Sequence, residues 1–446
     1  MILPKYTPVM QVLVLLLALF LPLSMEVKTT VANLNLPIEA MLCLLGIVVM
    51  IFLIKKKSHY PYYKSRVTIL VFCYILWMAI TTISSSMPLV SLKYVIINTL
   101  HIIVFYLGFF LLINILNKIT TLFILAFSVS LMVVMTYFWF NFYQVEFNSS
   151  SLVVLAKPFY KDNTIFSASL SMVLPWTLAI KPDKSYQRFL MLSFGLYIMV
   201  TIVSLNCRAA WLGLLAASVL TLLIKFTFLN FKNFIWLCIA TIVVSAVMIG
   251  SINLKKTSFE NEKEKTGNKL ETIISIAQPN TDVSNLERIN RYKCALRMFA
   301  QRPLFGYGPG TFQFAYLPFQ VSEEMTRLSI VPGQTSDAKD PPNGRGGGAH
   351  SEYLQALSEN GLPGFIIWLS LILTTYLSAF RCYSNAPIVS KKYILASVFG
   401  LTTFFIHGLF NNFLHSEEIA SLFWLMIAGI VWMDAEFMRT SATKNE

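Results

Sequence analysis

The sequence predicts an all-α polytopic membrane protein: about twelve spanning helices carrying one large, mostly helical outer loop domain. Three observations predict it. Of the 446 residues, 56% are hydrophobic and only 13% are charged, at a mean hydropathy of +0.64, whereas soluble chains carry about 25% charged residues. Apolar runs close to the roughly 20 residues that cross a hydrocarbon core recur along the chain. Basic residues also gather in alternate connections, as orientation in a membrane requires.

The runs fall near 9–25, 36–54, 67–86, 94–115, 119–141, 163–180, 188–206, 209–227, 232–252, 362–380, 391–410 and 418–437. The first lacks a small-residue cleavage site before polar sequence and is expected to stay as a span. With the N-terminus inside, Lys55, Lys56, Lys57, Lys64 and Arg66 share one cytoplasmic connection. Lys181, Lys184 and Arg188 share another, as do Lys225 with Lys232 and Arg381 with Lys391 and Lys392, while Arg439 and Lys444 close the chain on that side. Opposite connections hold only scattered cations: Lys28, Lys93, Lys157, Lys161 and Arg208. This asymmetry divides the chain into nine spans (1–252), an outer loop domain (253–361), then three spans and a cytoplasmic tail (362–446). Much of the net charge of +13 sits in short connections and marks orientation, not nucleic-acid binding.

The outer segment opens on a charged stretch, KKTSFENEKEKTGNK. From Ser284 a helical pattern follows, with Leu286, Ile289, Tyr292, Leu296 and Met298 apolar and Pro303 as its stop. PLFGYGPGTF then forms a glycine-rich turn flanked by aromatics. GRGGG is a backbone hinge, free to bend or to approach a ligand closely. Beyond it, AHSEYLQALSENGLPGF turns helical at Ser351, with Tyr353, Leu354 and Leu357 on one face and Glu352 and Glu359 off it. Asn360-Gly361 stops that helix and Pro363 suits the first turn of the next. Six cysteines show no metal spacing; Cys43, Cys73 and Cys238 lie inside apolar runs as packing residues, and Cys207 and Cys294 fall on the outer side without the spacing establishing a pair. No phosphate loop, dinucleotide fingerprint or paired-histidine zinc motif is present.

Candidate chemistry collects at the outer face. His350, the only histidine of the long loop, stands where a flexible hinge meets a short helix, against the alternative of a solvated imidazole. Arg208, in SLNCRAAWLGLL, lies where two spans meet; an anion clamp there competes with snorkelling to the headgroups. Arg288 and Arg291 neighbour each other on one helix face. Lys157, Tyr160, Lys161 and Asp162 form a polar, aromatic rim before the sixth run, with an interfacial belt as the plain explanation. His407, Asn411, Asn412 and His415 suit a helix-end polar cap.

In order, SLNCRAAWLGLL, RINRYKCALRMFAQRPLFGYGPGTF and AHSEYLQALSENGLPGF resemble the bacterial O-antigen ligase and polymerase superfamily. The family's arginine, aromatic, Ala-Leu, Pro-Leu and Gly-x-Gly-x-Gly-x-Phe pattern falls on Arg288, Tyr292, Ala295-Leu296, Pro303-Leu304 and Gly306 to Phe312. Tyrosine stands where tryptophan is commoner. The histidine, aromatic, leucine, glutamate, glycine signature falls on His350, Tyr353, Leu354, Glu359 and Gly361. The resemblance covers roughly residues 155 to 435.

It implies a GT-C-like, metal-independent glycosyltransferase needing no cofactor, in the bacterial inner membrane with a periplasmic active face. The donor would be a glycan on undecaprenyl pyrophosphate, and the acceptor a lipid A-core sugar, another glycan or, in some relatives, protein serine. On this reading His350 is the catalytic base, Arg208, Arg288 and Arg291 bind pyrophosphate, and Lys157, Tyr160, Lys161, Asp162 and Tyr353 line the substrate rim. A transporter or lipid-carrier flippase is the alternative from another class. It would place ionisable groups at the bilayer midplane on broken helices, whereas here they gather at the outer end.

Overall fold

The computed structural model describes residues 3–28, 33–55, 64–113, 119–148, 151–152, 154–226, 283–321, 324–326, 329 and 347–445. The expected ninth span (232–252), the charged stretch that follows it and the first part of the GRGGG hinge lie outside the described residues. The helices of the bundle are α1 (Leu3–Phe20), α2 (Ile38–Lys55), α3 (Arg66–Ile83), α4 (Pro88–His101), α5 (Gly108–Ile113), α6 (Ile119–Gln144), α7 (Asn163–Ala179), α8 (Ser185–Ser204) and α9 (Arg208–Lys225). After them come α10 (Val283–Gln301), α11 (Glu352–Asn385), α12 (Ile388–His407) and α13 (Glu417–Asn445).

Among the described residues, eight helices are long and apolar enough to cross a membrane. Three more of the expected twelve runs are helical but shorter: Gln11–Leu23 and Ile38–Ile51, and the 17-residue α7 with Pro175 inside it. The chain is a multi-pass, helical membrane protein. The chain departs locally from regular α-helix. Pro22 sits in the 3-10 turn Leu21–Leu23 that ends the first span early, since proline cannot continue the helical ladder. The chain then forms a short antiparallel ladder, β1 (Met25–Lys28) with β2 (Asn33–Leu36), pairing Met25 with Leu36. A π-helical turn, Ile102–Leu107, also joins α4 to α5.

α12 packs between α9 and α7, α11 lies against α3 and α13, and α1 lies on α6. Trp368, Phe404, Phe423 and Trp424 fill the centre. The connection between α3 and α4 meets the loop domain. Ser86, between α3 and α4, donates its N–H to Tyr307 O at 2.9 Å, and Trp77 of α3 donates to Asn360 O at 2.8 Å. The loop domain therefore rests on the same end of the bundle as the turns after α8 and α12, the side assigned as outer by the loop charges.

α10 and the glycine-rich turn close a second, smaller core of Cys294, Ala295, Met298, Tyr307, Phe312, Tyr316 and Ala349. The expected stop at Asn360-Gly361 is a kink: Gly361 adopts φ +65°, and a Cβ there would stand 2.1 Å from Leu304 O. Of the two glutamates placed off the apolar face, Glu359 is buried and Glu352 half-buried. Glu359 accepts the backbone N–H groups of Gly310 (2.8 Å) and Phe312 (3.0 Å), so the glycine turn holds a carboxylate of its own chain. Cys207 and Cys294 are both free thiols, and Cys43 and Cys73 are exposed on the bundle surface instead of packed inside it.

Candidate active site

Residues 408–416, between α12 and α13, are the floor on which the outer polar residues stand. From α10, Arg288 donates its Nε–H to Phe410 O at 3.2 Å and holds Asn285 Oδ1 at 3.1 Å. One turn on, the Tyr292 hydroxyl reaches Leu409 O at 2.6 Å and His350 O at 3.3 Å. Burial pushes that phenol up to about 12, so it keeps the proton it donates. From α11, the Glu352 N–H binds Gly408 O at 2.9 Å, while its carboxylate accepts from Leu414 N at 2.7 Å and from Phe413 N. Tyr353 donates to Phe405 O at 3.0 Å, which places it against α12 and not on an open rim.

His350 precedes the cap of α11, where Ser351 accepts the Leu354 N–H. It holds a left-handed backbone, φ +52°, uncommon for a residue with a side chain. Its N–H donates to Asn412 Oδ1 at 3.2 Å. Burial, then the positive charges of Arg291 and Arg288, holds the imidazole well below its ordinary range. It is therefore neutral at physiological pH, with a lone pair available to take a proton.

Arg208 opens α9 after a turn in which Asn206 takes φ +53°. Asn163 holds Leu205 O at 3.0 Å, and Cys207 Sγ lies 3.6 Å from His407 Nε2 at the end of α12. Gly213 permits the approach beneath: a Cβ there would meet Thr403 O at 3.0 Å. The close seam between α9 and α12 thus carries the half-buried Arg208 to the same end of the bundle as the 408–416 floor.

Arg291 is placed differently from the expected clamp. It is buried beside Glu287, Nε to Oε1 2.7 Å, stacks over Tyr316 at 4.8 Å and donates to Gly348 O at 3.0 Å. Those contacts spend its fork within the loop domain. The expected rim also divides. Tyr160 is buried against Phe166, ring centroids 4.8 Å apart, because its segment folds back onto α7. Asp162 caps α7, accepting from Thr164 N and Ile165 N at 2.9 Å each. Lys157 and Lys161 stay exposed.

Sequence reasoning missed the floor itself: His407, Asn411, Asn412 and His415 suggested only a helix-end cap. The signal was two asparagines, Asn411 and Asn412, shortly after a span that ends on His407, a composition that also suits any polar turn. A cavity of about 340 Å³ lies elsewhere, between α2 and α4, walled mainly by Leu42, Leu89, Leu92 and Leu100 with Glu39 and Lys93 as its charged residues.

An uncharacterized protein of Haemophilus influenzae (strain ATCC 51907 / DSM 11121 / KW20 / Rd) is 25% identical over 208 residues, 46% of this chain and 47% of that protein. The chain thus spans about half the length of that relative. Residues 192–369 match the family model described as O-Antigen ligase; the match begins within α8, ends within α11 and takes in Arg208, Arg288 and His350. Over that segment the chain is similar to the O-antigen ligase family.

Proposed function

We propose that the protein is an O-antigen ligase-type glycosyltransferase that moves a glycan from undecaprenyl pyrophosphate to a sugar hydroxyl of lipid A-core. The observation that carries this reading is that one short turn holds both His350, through its backbone N–H on Asn412, and the guanidinium of Arg288, through Phe410 O. A base without a proton and a permanent cation side by side suit a reaction that removes a proton from an alcohol and releases a pyrophosphate.

In this mechanism the acceptor oxygen attacks the anomeric carbon, and its proton passes to His350. The bond from that carbon to the pyrophosphate oxygen breaks, and undecaprenyl pyrophosphate leaves with the electron pair. One displacement inverts the sugar and needs no covalent intermediate. Arg208 and Arg288 hold the leaving oxygens, where charge grows most in the transition state. Arg291, held by Glu287, supports the His350 loop through Gly348 instead of binding donor. Lys157 and Lys161 remain for the substrate approach, and the apolar faces of the spans suit the polyprenyl chain.

The test is glycan transfer by the purified protein in nanodiscs, offered a lipid-linked glycan with either lipid A-core or a second lipid-linked repeat. Product on lipid A-core is expected. Elongation of repeat on repeat alone would make the protein a polymerase. Movement of the lipid carrier across vesicles without transfer would favour the flippase.

A further inference from the structure

We infer that Asn412 is a positioning residue that sets the place of His350, through one backbone hydrogen bond and one backbone stop. The inference rests on the transferase reading above. It comes from how residues 347–350 are gripped. On one side Arg291 holds Gly348 O at 3.0 Å. On the other stands the Asn412 amide, so close that a Cβ on Gly348 would lie 2.1 Å from its Nδ2 and 2.4 Å from its Oδ1. Two residues on, the same amide accepts the His350 N–H at 3.2 Å.

That hydrogen bond falls where the backbone most needs one. His350 holds φ +52°, a conformation that persists for a side-chain-bearing residue only when its surroundings impose it. Asn412 is itself immobilised, because the next two residues donate their N–H groups to Glu352 and Leu409 is tied to Tyr292. Gly348 is accordingly glycine for space: the segment lies flat against the amide that then receives His350. Asn412 touches neither donor nor acceptor in this account; it acts through the backbone of the base.

Variants of the full-length protein in nanodiscs test this. Asn412→Leu removes the acceptor, and kcat should fall on the order of a hundredfold, as for a base displaced by about an ångström, while donor KM stays near the parent value. Asn412→Asp keeps an Oδ acceptor and should recover most of kcat. Gly348→Ala should lower kcat on its own, yet add nothing in an Asn412→Ala background, since the clash it creates is with the Asn412 side chain. Additive losses, or an Asn412→Leu enzyme with parental kcat where His350→Ala is inactive, would overturn the inference. A second readout needs no turnover: carbethoxylation of His350, followed by peptide mass spectrometry, should accelerate several-fold in Asn412→Leu. If the parent transfers no glycan but this acceleration appears, the transferase reading fails and the placement stands; an unchanged labelling rate defeats the placement itself.

Discussion

At the scale of single residues, burial separates the arginines. Arg288 is half-buried at a backbone carbonyl of the floor, whereas Arg291 is buried in an ion pair. Arg291→Ala should leave Glu287 buried without its partner and destabilise the loop domain by about 3–5 kcal/mol, read as a lower unfolding midpoint and as faster proteolysis of that domain. Arg288→Ala should leave the midpoint nearly unchanged but weaken donor binding or turnover by about 1.5–3 kcal/mol, roughly ten- to hundredfold; lysine restores charge without the fork and should rescue only in part. Unchanged donor binding in Arg288→Ala at normal protein levels would remove Arg288 from the clamp. For His350→Ala, turnover should drop about a hundredfold to ten-thousandfold with donor binding retained. The pH dependence has a definite sign. Because the folded state depresses the pKa of His350, the unfolded chain binds the proton more readily. Stability and base form are both present above the ordinary imidazole range, and both decline as pH falls through the depressed value. The acid limb of the rate profile should lie below the ordinary histidine pKa, and its appearance above neutrality would exclude His350 as the group observed.

At the scale of elements, periodicity located what was regular. Hydropathy announced the spans, and the apolar pattern from Ser284 with Pro303 as its stop corresponds to Val283–Gln301. Asn360-Gly361 and Pro363 likewise marked a true break, at Gly361, where two helical segments of α11 meet at a kink. Pairings across long sequence separations could not be read this way. Glu359 and Glu352 looked like solvated positions on an amphipathic helix; nothing local says that their carboxylates meet backbone N–H groups 47 to 62 residues away. Arg291 looked like a neighbour of Arg288 with the same task, and its partner four residues earlier, Glu287, was in plain sight. Burial of that face turned the pair from surface decoration into structure. The kink itself makes a prediction. Gly361→Ala places a methyl 2.1 Å from Leu304 O at φ +65°, where no flexible side-chain end can yield. Folded protein should be lost, seen as aggregation in size-exclusion chromatography, whereas Gly429→Ala, with open space around it, should behave as the parent.

At the scale of the whole molecule, the turns after α3, α8 and α12 and the loop domain share one end of the bundle. Which side of the membrane that end faces follows from the basic connections alone. Cysteines introduced at Ser258 and Ser441, in a background with the native cysteines replaced, should report it: an impermeant thiol reagent should modify the first and not the second in intact cells, after permeabilisation of any outer membrane. Labelling of Ser441→Cys alone would turn the molecule over and move the polar end to the cytoplasm.

The turn from Gly408 to Leu414 acts as a common datum in the sense of a machine fixture. Arg288 is referenced to Phe410, the histidine to Asn412, and α11 to Gly408 and Leu414. When α12 or α13 shifts in the bilayer, parts mounted on one short fixture travel together, and the spacing between Arg288 and His350 is preserved. Tolerance to bilayer thickness and tilt is thereby separated from tolerance in the chemistry. The spans can ride a changing membrane while the tools at their tip keep their setting.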